Sequence, residues 1–482
     1  MEHSLVIKSL GALVGEAYVL SGEQDREKYD CDWTGKWKGE SLAVVRPSNT
    51  SEVADVIKFA YEHDISVVPQ SGNTGIAGGA YPGQDKSQII LSLDRMNKII
   101  EINTNSHLAI VEAGVVLQEL HQTVEEYGLI FPLTFGAQGS CMIGGNLATN
   151  AGGSNVVRYG NTRDLCMGLE VVTPDGRILN LMSQLHKDNT GYSLKNLYIG
   201  SEGTLGVITS AVLKLFPMPK AYATALVAIP SVDAALNLLN RFQEATRGSV
   251  EAFELMPHQF IELVTNHFDN LSPPFDQPME YSVLIEIGAV SPEDVAPQED
   301  GSIPVMNLLE SLLEELFEEG EVLDAVIAQS EEQRKTLWSI REGGLEAILA
   351  KGRPIISDIA VPLDKVQRFI DEMESRLAII APNSEYSVIA HLGDGNLHYG
   401  IWPNVLAGAE WDPILESEIV EEIEVVIKEL SGTFSAEHGI GCSKTDTMER
   451  MKDIVALDVM WQIKQSLDPK NLMNPGKLLP CR

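Results

Sequence analysis

The chain is short of positive charge: 35 Lys and Arg stand against 69 Asp and Glu, a formal net charge of -34 at pH 7 over 482 residues. Phosphate backbones and anionic membranes would be repelled, which excludes nucleic-acid and lipid-surface binding as its primary functions. Cysteine is scarce too. The five (31, 141, 166, 442 and 481) are odd in number, scattered and without a Cys-x-x-Cys pair, so neither a disulfide framework nor a zinc finger is expected. No run of about 18 uncharged apolar residues occurs, so no membrane-spanning helix is expected. The N-terminal apolar stretch lacks a basic region before it, so no secretory signal is expected either. The expectation is a cytoplasmic protein, or one of the mitochondrial matrix if the source is eukaryotic, with no clear transit peptide. Gly-x-Gly-x-x-Gly is also missing, which argues against a Rossmann-type NAD site.

What is present allows two or three domains with large cores, since 44% of residues are hydrophobic and 22% charged. The acidic excess concentrates in residues 310–321 and 416–424, where Leu, Phe, Ile and Val recur at helical spacing between the acids. These read as solvated outer helix faces. An acidic surface repels small carboxylates, so an acidic substrate would need a local Arg or metal.

The strongest chemistry lies in HLGDGNLH (residues 391–398) and AEHGIG (residues 436–441). Residues 388–390 read as a buried strand, residues 393–396 as a turn and residues 399–402 as a returning strand, which makes a hairpin. With that turn at the tip, His391 and His398 are directly opposed, their Cβ atoms roughly 5 Å apart. Glu437 and His438 are adjacent and point to opposite sides if extended, so Glu437 is assigned to the metal. Two His and one Glu leave a position open on Zn2+ or another divalent ion, the pattern of a catalytic site, and His438 is then free to move a proton. Taken singly, each residue would more often cap, pack or be solvated. Four together, bracketed by glycines 393, 395, 400, 432, 439 and 441, favour function.

Residues 41–217 alternate short strands, helices and glycine-rich turns. A helix is expected over residues 51–63 with Ser51 or Thr50 as cap, followed by a strand at residues 66–68. Residues 69–83, and the stretch 136–153 with six glycines in 18 residues, contain no Lys or Arg. Backbone N–H nests of this kind hold a pyrophosphate without cationic side chains. A third cluster covers residues 187–192 and 200–208. Phe216, Pro217, Met218 and Pro219 read as a linker. Beyond it, strands at residues 223–229 and 281–287 and helices at residues 234–246 and 306–317 suggest an antiparallel sheet covered by helices, closed by a helix over residues 447–466.

Together these segments and the tail DPKNLMNPGK resemble the FAD-linked D-2-hydroxy-acid dehydrogenases of the vanillyl-alcohol oxidase or p-cresol methylhydroxylase fold type, from about residue 30 to the end. The resemblance implies an α+β architecture. Residues 1–217 would be a two-subdomain FAD-binding domain, residues 218–467 a substrate and metal domain with a helix-covered antiparallel sheet, and residues 468–482 a tail returning to the FAD domain with Asn474 near the flavin. By the same resemblance Pro69, Gln70, Ser71, Gly72, Asn73 and Thr74, with Gly75, Gly78 and Gly79, cradle the pyrophosphate. Pro132, Thr134, Gly136, Gly139 and Ser140, then Gly144, Gly145, Asn146, Thr149 and Asn150, line the isoalloxazine and ribityl chain. Gly203, Val207 and Ile208 lie on the adenine side. The FAD is expected to be noncovalent, because residues 70–75 contain no His or Cys. His391, His398 and Glu437 match the family's metal ligands, His438 its base and Arg341 its carboxylate clamp.

The function implied is oxidation of a D-2-hydroxy acid to the 2-oxo acid by hydride transfer to flavin N5. Electrons would pass on to an acceptor such as an electron-transfer flavoprotein or a quinone, with oxygen also open, and homodimerisation is left open. Hydroxyglutarate-type relatives often have Lys where Ile356 stands and Asn where Gly400 stands. D-lactate or another short or apolar D-2-hydroxy acid is therefore the alternative to D-2-hydroxyglutarate, with Arg353 or Lys351 as compensating cations. A metal-dependent hydrolase, and a partner that kept the fold but lost turnover, are the alternative classes.

Overall fold

A computed structural model describes residues 2–84, 86–403 and 411–481. The chain forms two units. Residues 1–152, 160–217 and 437–482 make the first; residues 153–159 and 218–436 make the second.

Among its described residues the first unit contains two larger sheets and a two-stranded one. Val19–Leu20, Ala43–Val45, Ile89–Ser92 and Val67–Gln70 form one, in that spatial order, with the last three strands parallel. Helices His3–Val14 and Thr50–Glu62 bury Leu10, Val53, Val56 and Ile57 against it. The helix over residues 50–62 starts one residue earlier than expected. Its cap is Asn49, whose side chain accepts from the Glu52 N–H at 3.0 Å, a capping geometry that Thr50 and Ser51 inside the helix cannot adopt. The other larger sheet is fully antiparallel, in the order Ile99–Asn103, Leu108–Glu112, Val207–Lys214, Cys166–Val172, Ile178–Leu181. The expected linker is partly structured, because Phe216–Pro217 pairs with Leu129–Ile130 as a two-residue edge strand, a place where the missing N–H of Pro is tolerated.

Residues 437–482 end in the first unit through a knot of buried polar groups. The Lys464 ammonium, 3% exposed, donates to Asp468 at 2.6 Å and to the Thr204 and Met473 carbonyls at 2.8 Å each. Val67 then exchanges backbone bonds with Leu472 and Asn474, both at 2.8 Å, which adds the tail to the first sheet. The expected helix over residues 447–466 is broken into Thr445–Met451 and Ile454–Leu467, because the Asp453 side chain caps the second piece at the Ala456 N–H.

The second unit is built on a seven-stranded antiparallel sheet: Asp324–Ile327, Ala221–Ile229, Tyr281–Ala289, Val250–Pro257, Glu385–His391, Asn396–Trp402, Ile355–Ala360. Alternation puts two apolar surfaces on it. One carries Leu226, Met256, Leu284 and Ile389 under Phe260, Leu337 and Ile340 of helices His258–His267 and Glu331–Glu342. On the opposite face Tyr399 packs edge-on to Phe369 of helix Val366–Ile380, with ring centroids 5.5 Å apart. Residues 153–159 belong here because Arg158 and Tyr159 both reach the buried Glu251, at 2.6 and 2.9 Å. Among the described residues no helix is long and apolar enough to cross a membrane.

Candidate functional site

The hairpin forms as Glu385–His391 and Asn396–Trp402, but its register is shifted from the expected one. His391 lies opposite Asn396, and His398 lies opposite Ile389. The reason is Asn396. Its buried amide donates to Asp358 Oδ1 and to the Ile359 carbonyl, each at 2.9 Å, which makes it a strand residue, and Gly395 supplies the positive φ of 78° at the turn. The histidines are therefore diagonal neighbours rather than opposed. They still share a face, with ring centroids 5.3 Å apart and planes at 82°.

That face is unusually polar for the interior of a sheet. Glu254 is paired with His391 across the strands, and Asp358 with His398. Glu254 is fully buried and Asp358 is 1% exposed. The Asp358 carboxylate lies 3.9 Å from His398 Nδ1. Glu254 Oε1 lies 2.8 Å from His391 Nδ1, and Oε2 accepts from Arg341 Nε at 2.7 Å. Burial works against ionising Glu254, but the His391 imidazole and the Arg341 guanidinium outweigh it, and its carboxyl is held below the ordinary range. Arg341 comes from helix Glu331–Glu342, whose Ser330 cap accepts from Gln333 N. Two turns earlier, Arg334 grips Glu286 bidentately at 2.7 Å for both bonds.

Ala436, the last residue of this unit, donates its N–H to the Asp358 carbonyl at 3.3 Å. Glu437 and His438 follow it directly in the chain. In the first unit the next turn is clamped by Glu202, whose carboxylate accepts from the N–H groups of Ile440 and Gly441 at 2.8 and 2.7 Å. Burial raises the Glu202 carboxyl above its usual range, and those two N–H groups only partly offset it. A Cβ on Gly152 would come within 2.5 Å of Glu437 Oε1, so a larger residue there would displace that carboxylate.

The glycine loops of the first unit pack backbone to backbone. A Cβ on Gly72 would meet the Ser140 carbonyl at 2.3 Å, one on Gly144 the Ala113 Cβ at 2.7 Å, and one on Gly203 the Pro69 ring at 3.1 Å. Gln70 is tied by its amide to the Tyr29 and Ala80 carbonyls, and Asn73, at φ 52°, to the Cys31 carbonyl. Beside Gly75 and Gly136 a Cβ would meet nothing within 4 Å. Ile143–Thr149 is a short helix holding Gly144, Gly145 and Asn146 and capped by Asn150 in the left-handed region. Val207 and Ile208 are buried at the start of their strand, and Pro132 is buried with Thr134 half-buried beside it. Asn474, 1% exposed, donates to the Gly79 and Glu202 carbonyls at 2.9 and 2.7 Å while its Oδ1 has no hydrogen-bond partner.

Sequence reasoning did not single out Glu254, Glu202 or Gly152, used Asp358 only as a reference position and read Asn396 as turn. One signal was available for Glu254. It is an acid flanked by Phe253, Leu255 and Met256 in a strand buried along its whole length.

The sequence family described as FAD linked oxidases, C-terminal domain, matches residues 218–478, and the FAD binding domain family matches residues 41–182. The chain is 37% identical over 467 residues to a mitochondrial D-2-hydroxyglutarate dehydrogenase of Bos taurus, covering 96% of this chain and 81% of the relative. It is 36% identical to a D-2-hydroxyglutarate dehydrogenase of Xanthomonas citri pv. viticola, covering 98% and 96%. Among solved structures, p-cresol methylhydroxylase with substrate bound aligns with TM-score 0.72 at 14% identity, covering 99% and 97%. Alkyldihydroxyacetonephosphate synthase aligns with TM-score 0.72 at 17% identity, covering 98% and 85%. These two likenesses establish the mixed α+β fold type. Two domain families in the order FAD-binding then oxidase, and relatives matched nearly end to end, lead to one conclusion: the chain belongs to the FAD-linked D-2-hydroxy-acid dehydrogenases and is an FAD-dependent hydroxy-acid dehydrogenase.

Proposed function

We propose that the enzyme oxidises a D-2-hydroxy acid to the 2-oxo acid with the help of a divalent cation, zinc being the first candidate. Membership in a flavin dehydrogenase family displaces the hydrolase alternative. The observation that carries the reading is the buried sheet face of the second unit, where His391, His398, Asp358, Glu254 and Arg341 converge.

The residues suit both groups. His391 and His398 of the second unit and Glu437 of the first are imidazoles and a carboxylate of the kind a divalent ion takes, and we assign these three as its ligands. For FAD, the close-packed glycine loops, the open space beside Gly75 and Gly136, and the unpartnered Oδ1 of Asn474 suit a ligand held by main chain and amide groups. Burial pushes the Cys141 thiol up to about 11, so it stays protonated and supports a noncovalent flavin. When bound, the cation supplies Lewis acidity at the substrate hydroxyl and the flavin accepts the C2 hydride at N5.

The chain's own residues do the rest. Arg341, always charged, binds the substrate carboxylate and supplies the local attraction that the acidic surface withholds. His438 takes the hydroxyl proton on its imidazole. Reoxidation falls to an electron-transfer flavoprotein or a quinone. The names of the relatives put D-2-hydroxyglutarate forward as substrate, whereas Ile356 opposite Gly400 favours a shorter or more apolar acid such as D-lactate. The test is anaerobic addition of paired D- and L-2-hydroxy acids to the yellow protein. Bleaching by D-acids alone is expected; bleaching by neither enantiomer contradicts the reading.

A further inference from the structure

Glu254 is buried on the strand Val250–Pro257, between Leu284 on one side and His391 on the other. Its two oxygens engage different side chains, His391 Nδ1 at 2.8 Å and Arg341 Nε at 2.7 Å. Those two side chains also face each other, with Arg341 Nη2 3.5 Å from His391 Nε2. An ionised carboxylate only accepts hydrogen bonds, so the bond from Glu254 places a proton on His391 Nδ1, and Nε2 is the ring nitrogen that would meet the metal in the assignment above. The Arg341 Nε bond fixes the guanidinium plane and turns Nη2 toward His391 Nε2.

Glu286, on the same face, shows the contrast. Arg334, Trp338 and Thr224 donate to it at 2.7 to 2.8 Å, and none of the three is among the residues assigned above to metal, base or substrate. Together with the packing of Leu337 and Ile340, it ties the helix Glu331–Glu342 to the sheet independently of Glu254. We infer that Glu254 is a positioning residue: by orienting His391 and Arg341 with one carboxylate, it couples metal affinity to recognition of the substrate carboxylate. The inference rests on the metal-assisted dehydrogenase reading above.

The test uses the full-length flavoprotein, stripped of metal and titrated with Zn2+ against a chromogenic chelator, with KM and kcat measured separately after reloading. Glu254→Gln keeps the shape, but its amide N–H2 opposes the required proton on His391 Nδ1. Expected are unchanged flavin content, a loss of zinc affinity of about 10- to 100-fold, and a rise in KM for the 2-hydroxy acid. His398→Ala is the control for the reading itself. If it loses zinc while Glu254→Gln keeps wild-type zinc affinity and KM, the inference is overturned and the reading stands. If neither variant changes zinc affinity, both fall. Glu254→Asp, one methylene short of its partners, is read in the same assays should the Gln protein not fold, and wild-type values there overturn the inference equally.

Discussion

Ile356 stands directly opposite Gly400 across two antiparallel strands, one rung beyond the pair Asp358 and His398 on the same face. Ile356 is 41% exposed, and the Trp402 indole lies 3.4 Å from where a Gly400 Cβ would be. The ionic rung is thus followed by an apolar one. Ile356→Lys places a cation there. Its kcat/KM for D-2-hydroxyglutarate relative to D-lactate is expected to rise about tenfold or more, the worth of one hydrogen bond to a charged group. An unchanged ratio in steady-state assays would show that this rung does not read the distal end of the substrate.

His438→Ala is expected to keep its FAD and its metal and to lose about 10²- to 10⁴-fold in kcat, the usual contribution of a positioned base. Flavin absorbance and metal content are measured on the same sample as turnover. Wild-type turnover removes His438 from the proton transfer.

Glu202→Ala strands the Ile440 and Gly441 N–H groups in a buried place. The expected cost is about 1.5–3 kcal/mol of stability, read as a lower thermal midpoint. Turnover should fall as well, because Gly441 is three residues from His438. A destabilised variant with full turnover per folded molecule would separate this clamp from catalysis.

Glu254 also predicts an acid limit. Its folded-state carboxyl lies below the ordinary 4.5, so the stability it contributes is complete above that value and is lost as pH falls through the lower, folded-state value. Thermal midpoints measured from pH 6 downward should fall more steeply for wild type than for Glu254→Gln, which has no proton to take up. Parallel curves would show that Glu254 does not ionise as described.

The hairpin was legible because an apolar run, a glycine-rich turn and a second apolar run are local signals. Its register was not, since Asn396 joins the strand by bonding Asp358 and Ile359, 38 and 37 residues away. Distance in sequence also hid Glu254, whose partners Arg341 and His391 lie 87 and 137 residues on. An acid in a buried apolar strand states that it is buried but not what pairs with it. The glycines were readable as a group. Which of them face open space, as Gly75 and Gly136 do, and which are forced by close backbone, as Gly72 and Gly144 are, depends on packing that no local pattern carries.

Cation and flavin acting together on one hydroxy acid is tested most directly by stripping the metal from the purified flavoprotein and adding a D-2-hydroxy acid under anaerobic conditions. Metal-assisted hydride transfer predicts that the flavin stays yellow with substrate, bleaches at once with dithionite, and regains its bleaching by substrate when Zn2+ or another divalent ion is restored. Full bleaching by substrate in the metal-free protein would contradict it.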